Sequence, residues 1–138
     1  MFKWVSILIS ILFSASTVAS INLNLACKEK KEQQMSLLTE MSTSVSEAHL
    51  AGQCTGYWSF EIVPIKESCS EFVEQKNALL PAFSTSVSEA HYAGICVGVI
   101  YRIAQNCGTH VRQNEYLRIA ENASSLEAIR ERLSCYGG

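Results

Sequence analysis

Residues 84–98 read STSVSEAHYAGICVG, and residues 42–56 read STSVSEAHLAGQCTG. The two stretches are nearly the same, 42 positions apart. The offset extends beyond them. Cys27 falls on Cys69, Gln33 on Gln75, Leu37-Leu38 on Leu79-Leu80, and Cys54 on Cys96. A period of this length marks repeated supersecondary units. Each unit is a cysteine, 26 intervening residues and a second cysteine. A degenerate third copy runs from Cys107 to Cys135. It carries Gln113, Leu117, Ser124, Glu127 and Ala128 at matching offsets and one inserted residue before the last cysteine.

Inside each unit the same start signal recurs. Ser44-Val-Ser-Glu47, Ser86-Val-Ser-Glu89 and Ser124-Ser-Leu-Glu127 have the spacing of a capping box. In such a box the serine accepts the amide three residues on, and the glutamate reaches back to the serine N–H. After the first two boxes small residues recur every four positions: Ala48, Gly52, Gly56 and Ala90, Gly94, Gly98. That spacing bares one helix face. Glycine inside a helix costs about 1 kcal/mol against alanine. Close packing at Gly52, Gly56, Gly94 and Gly98 is the expected compensation.

The 138-residue chain opens with Lys3, an apolar run over residues 4–13 and small residues at Val18-Ala19-Ser20. This has the form of a secretory signal peptide over residues 1–20. Its apolar run is short for a bilayer span. Lipidation at Cys27 is a competing reading, with Asn24 standing where an apolar residue is usual. Residues 21–138 are about one domain in length. Its units are 27–60, 69–102 and 107–136. Loss of Lys3 leaves ten basic residues against thirteen acidic ones, all glutamate. No basic stripe with interleaved aromatics is present, which argues against nucleic-acid binding.

Six cysteines in a small exported domain imply a disulfide framework. The simplest pairing stays within units: Cys27–Cys54, Cys69–Cys96 and Cys107–Cys135. The rival joins neighbours across the connections, as in Cys54–Cys69 and Cys96–Cys107. No C-x-x-C pair suggests a metal.

Helices are expected from Cys27 through Gln34 and on past Leu37, Leu38 and Met41, over about 45–60, and from near Ser70 to Leu80. Residues 62–65, with Pro64, make a connection, and Pro81 ends or kinks the third helix. Residues 92–101 carry no charge, which predicts the most buried helix. Leu126, Ile129 and Leu133 form an amphipathic stripe. No strand pattern stands out. The expected architecture is all-α: stacked helical hairpins, two clear and one degenerate, stapled by disulfides.

Candidate chemistry is sparse. His49 and His91, with His110, converge on a metal only if the repeats pack about a pseudo-twofold axis. Duplication alone explains both histidines, so no metal or cofactor is expected. There is no G-x-S-x-G nucleophile motif. Glutamate pairs for glycoside hydrolysis are outweighed by solvated helix faces. Tyr57, Trp58, Phe60, Tyr92 and Tyr101 are candidates for an interface or a ligand pocket. Asn122-Ala-Ser124 is a glycosylation sequon.

Cys69, Cys96-Val-Gly98, Cys107 and Leu133-Ser-Cys135, with Cys54-Thr-Gly56-Tyr57 in the first copy, carry a family resemblance. The segment 69–135 resembles the periplasmic immunity proteins of bacterial type VI secretion systems. Those proteins neutralise peptidoglycan-cleaving amidase effectors. Val99 stands where that pattern has tyrosine, and the first unit lies outside it. The resemblance implies an exported, non-catalytic binding protein whose partner is a cell-wall hydrolase, in the periplasm rather than the medium. The cysteines, Gly56 and Gly98 carry over as structural. Self-association as a homodimer, a carrier of a small apolar ligand and a secreted hydrolase are the alternatives.

Overall fold

The computed structural model describes residues 21–35, 44–78 and 86–135. Six helices lie among these residues: α1 Leu23–Met35, α2 Val45–Trp58, α3 Ile65–Asn77, α4 Val87–Asn106, α5 Gln113–Ala120 and α6 Leu126–Arg132. There is no strand among them, and the protein is all-α. The expected leader, the extension of the first helix through Leu37, Leu38 and Met41, and the break at Pro81 lie outside the described residues. None of the described helices is long and apolar enough to cross a membrane.

Local chemistry sets the helix starts. Ser44 Oγ accepts the Glu47 amide at 3.1 Å, and Ser86 Oγ accepts the Glu89 amide at 3.1 Å. The glutamates close these caps differently from the expected box. Each accepts a hydrogen bond from the serine hydroxyl, at 2.9 Å, instead of from the backbone N–H. The third copy departs further. Ser125, not Ser124, caps α6 by accepting the Ala128 amide at 3.2 Å. Glu127 is drawn to Arg130 at 2.6 Å. α3 starts at Ile65, earlier than the expected Ser70, because Pro64 has a fixed φ suited to helix entry and its carbonyl accepts the Ser68 amide. α1 likewise starts before Cys27, where Asn22 Oδ1 accepts the Leu25 amide at 3.0 Å.

The disulfides are Cys27–Cys54, Cys69–Cys96 and Cys107–Cys135, and no cysteine is left as a thiol. The within-unit pairing is therefore the one present. The first bond ties the start of α1 to the end of α2, and the second ties the start of α3 to the middle of α4. Each hairpin is antiparallel. Closing loops of 27 residues removes about 3.5 kcal/mol of unfolded-chain entropy per bond on the loop-closure account. Three such bonds fit an oxidising, export-side compartment.

The two hairpins meet through their glycines. A Cβ placed on Gly52 would lie 2.1 Å from the His91 carbonyl oxygen, and one on Gly94 2.0 Å from that of His49. One on Gly56 would lie 2.1 Å from the Ile95 oxygen, and one on Gly98 2.1 Å from that of Gln53. Every contact has its mate 42 residues away, so a pseudo-twofold axis relates the hairpins. The contacts advance together along both helices, so α2 and α4 run in the same direction. Only a bare glycine face allows backbones this close, and Cα–H groups then point at facing carbonyls.

α4 continues ten residues past Cys96. Its run from Ala93 to Ile100 is wholly buried, as the charge-free sequence predicts. The core gathers on this extension: Val99, Ile100 and Ile103 pack with Tyr116, Ile119 and Ile129. The third copy keeps its disulfide and its capped second helix. Its helices have eight and seven residues, lack the glycine ridge, and pack on α4, with α5 also lying against α3. Cys107 is the C-cap of α4, so this bond closes the third copy onto the long helix.

Candidate functional site: an aromatic cluster and two grooves

Tyr57 and Trp58 end α2, and Phe60 follows two residues on. One turn of the α4 extension brings Tyr101, Arg102 and Gln105 beside them. The Arg102 guanidinium lies 4.9 Å from the Tyr57 ring centre, 5.4 Å from Phe60 and 5.6 Å from Trp58. Three ring faces thus share one cation, an arrangement favoured by the ring quadrupoles. Tyr57 packs edge-on to Trp58 at 5.1 Å and tilted to Tyr101 at 5.8 Å. The Tyr57 hydroxyl donates to Gln105 Oε1 at 2.6 Å, and Gln105 Nε2 donates to the Tyr101 hydroxyl at 2.8 Å. The cluster is held on three sides, yet its outer surface is open. Trp58 is 62% exposed, and Ile62 on the following turn is 85% exposed.

Of the five aromatic candidates, Tyr57, Trp58, Phe60 and Tyr101 converge here. Tyr92 does not. It stands 38% exposed in a neighbouring groove that Ile62 also lines. Arg102 and Gln105 were not singled out from sequence as binding residues. The Tyr101–Gln105 spacing of one helical turn was a usable signal; the pairing with Tyr57, 48 residues from Gln105, was not.

Two grooves flank the α2–α4 crossing, related by the same pseudo-twofold. On one side, His49, Leu50, Phe72 and Lys76 line two adjoining recesses of about 480 and 290 Å3. Tyr116 from α5 walls the smaller one, and burial raises its phenol well above the ordinary range. On the other side, His91, Tyr92 and Ile95 line a single groove of about 780 Å3, with Gln33 from α1 and Ile62 and Val63 from the connection. Nothing corresponding to α5 stands on that side among the described residues.

The histidines are mates. Burial lowers the His49 pKa, Lys76 lowers it further, and the Ala90 carbonyl opposite offsets part of this. Burial lowers the His91 pKa, the Ala48 carbonyl opposes, and Lys30 adds to the lowering. The pseudo-twofold required for the histidines to converge is present, but the two line different grooves, and His110 is exposed beyond α4. Among the described residues no three His, Cys or Glu side chains come together as a metal site. The carboxylates in ion pairs among the described residues, Glu32, Glu115 and Glu127, pair with lysine or arginine on their own helix faces. Asn122 is exposed just after α5, with its side chain donating to the Arg118 carbonyl. No protein-family model, curated protein or solved structure matches the chain.

Proposed function

We propose that the mature chain is an exported binding protein that docks a protein partner, in the manner of an immunity protein against a peptidoglycan-cleaving amidase, and has no catalysis of its own. The observation that carries this reading is the open surface of the Arg102 cluster. Tryptophan, tyrosine and arginine are the residues that most often concentrate binding energy at protein interfaces. Here they are pre-ordered by cation–π contacts and a hydrogen-bonded tyrosine pair, so little side-chain entropy remains to be lost on docking. Exposed Ile62 extends the patch. The resemblance over residues 69–135 supplies the partner class and the periplasmic setting, which accords with three disulfides.

The test is capture and inhibition. Tagged protein recovered from its host's envelope is expected to hold one stoichiometric partner with peptidoglycan amidase activity, and to inhibit it. Ile62→Glu, on a side chain 85% exposed, is expected to weaken that inhibition by at least about tenfold, a typical hot-spot effect. An amidase inhibited equally by the variant moves the interface elsewhere. Recovery of the protein only with itself favours the homodimer.

One observation favours a second reading, that of a carrier for a small apolar ligand. The His91 groove, at about 780 Å3, lies within the range of small-molecule pockets, roughly 300–1,000 Å3.

A further inference from the structure

The two grooves are copies, so each reports what the other lacks. In the His49 groove the α3 side chain facing the crossing is Phe72, only 4% exposed. Its mate 42 residues earlier is Lys30 on α1. Lys30 makes no ion pair with a described residue, and its charge acts on His91. Copy one therefore has a cation where copy two has a ring. The walls nearby stay apolar: Val63, Val87 and Ile95, with Tyr92 at the rim. One further donor is available. Gln33 lines the groove, and its Nε2 is buried with no hydrogen-bond partner. Its mate Gln75 has the same unpartnered nitrogen in the groove that Phe72 lines. The orphaned donor is thus common to both sides, and the ring-for-lysine exchange is what distinguishes them.

We propose that the His91 groove is a binding site for a small aromatic carboxylate. The flat apolar body lies against Val87, Ile95 and Tyr92, in the space a phenyl ring takes in the other copy. The carboxylate accepts from the Gln33 amide and the Lys30 ammonium. An ionised acceptor suits both groups, because a charge-assisted hydrogen bond is about twice as strong as a neutral one. This inference rests on the carrier reading and names its ligand class. It shares Ile62 with the edge of the Arg102 patch and none of the aromatic residues around Arg102.

The test titrates oxidised mature protein with naphthalene-2-carboxylate and, separately, with the uncharged naphthalene-2-carboxamide, at pH 8. Amide chemical shifts report the site. The acid is expected to move residues 88–95 and Gln33, and to bind about tenfold more tightly than the amide, the factor an ordinary charge-assisted hydrogen bond carries. Lys30→Met, checked for unchanged helicity, is expected to erase that preference while leaving amide binding as it was. Equal binding of acid and amide at residues 88–95 overturns the carboxylate assignment and leaves the carrier reading standing. Shifts confined to His49 and its neighbours overturn the site. Failure of both probes to bind overturns the inference and the carrier reading together.

Discussion

Trp58 and Ile100 hold the same register in the two copies, yet Trp58 is 62% exposed and Ile100 is fully buried. Tyr57 and Val99 differ in the same sense, as do Lys30 and Phe72. Duplication has kept the backbone arrangement: cap, glycine ridge, disulfide and crossing repeat with their 42-residue offset. It has not kept the surroundings. α2 stops at Trp58, whereas α4 runs on to Asn106 and gives α5 and α6 something to pack against. Copy two has become the core, and copy one the open face. A shared backbone thus leaves the solvent side of each copy free to diverge, and both candidate binding surfaces join residues of the two copies: Tyr57 and Trp58 beside Tyr101 and Arg102, and Gln33 beside Val87, His91 and Ile95.

The sharpest way to break this comparison is to remove the side chains that distinguish the copies. Phe72→Ala is expected to cost about 4 kcal/mol, because a buried ring leaves both lost burial and a cavity. Lys30→Ala, at the same register, is expected to stay within about 0.5 kcal/mol, as surface changes do. Chemical denaturation of both oxidised variants measures the difference. Equal costs would mean that α1 and α3 are buried alike and that the His91 groove is closed.

Where the copies agree, the prediction is equality. Gly52→Ala and Gly94→Ala each place a methyl about 2 Å from a backbone oxygen that cannot rotate away. Each is expected to lower stability by about 3 kcal/mol, at the upper end of overpacking costs, despite the gain in helix propensity of about 1 kcal/mol. Their similarity is the informative part. If one glycine tolerates alanine and the other does not, the crossing is not symmetric. Gly108 serves as a contrast. It has φ +66° with nothing within 4 Å of a Cβ, so alanine there meets backbone strain and no clash.

Much of this organisation was legible because it is periodic. The glycine spacing, the serine caps of α2 and α4 and the cysteine intervals are local patterns, and the helices they imply are present. The reciprocal crossing was legible only as a demand for close packing. The partner of Gly52 sits 39 residues away at His91, and no local pattern says which bare face meets which. The Arg102 cluster was hidden for the same reason. Tyr57 and Arg102 are brought together only because α4 outruns α2, and that extension depends on α5 and α6 covering it. The third copy misled at its cap: the sequence offers adjacent serines, and Glu127 is claimed by Arg130, so Ser125 takes the role assigned to Ser124. The groove asymmetry was present in the register, as Lys30 against Phe72. It acquired meaning only once the two were seen on opposite sides of one crossing.

The smallest expected effect concerns the histidine mates, and its sign follows from their surroundings. Both have pKa values below the ordinary 6.5, chiefly through burial, so protonation favours the unfolded chain. Their contribution to stability is complete above about pH 6.5 and is lost as pH falls from there through the lowered folded values. Glu71 acts in the opposite direction. Its pKa is raised by desolvation and by Glu74 and Glu89, so its contribution is lost as pH rises above its ordinary value, and its exposure keeps that contribution small. The thermal midpoint is therefore expected to fall between pH 7.5 and pH 5.5. His49→Gln and His91→Gln are each expected to flatten that fall. His49 is set deeper and faces Lys76 beside buried Phe72, whereas His91 opens onto the larger groove. The flattening should accordingly be greater for His49→Gln. The opposite order would place the more enclosed environment on the His91 side, and the groove there would no longer be the open one of the pair.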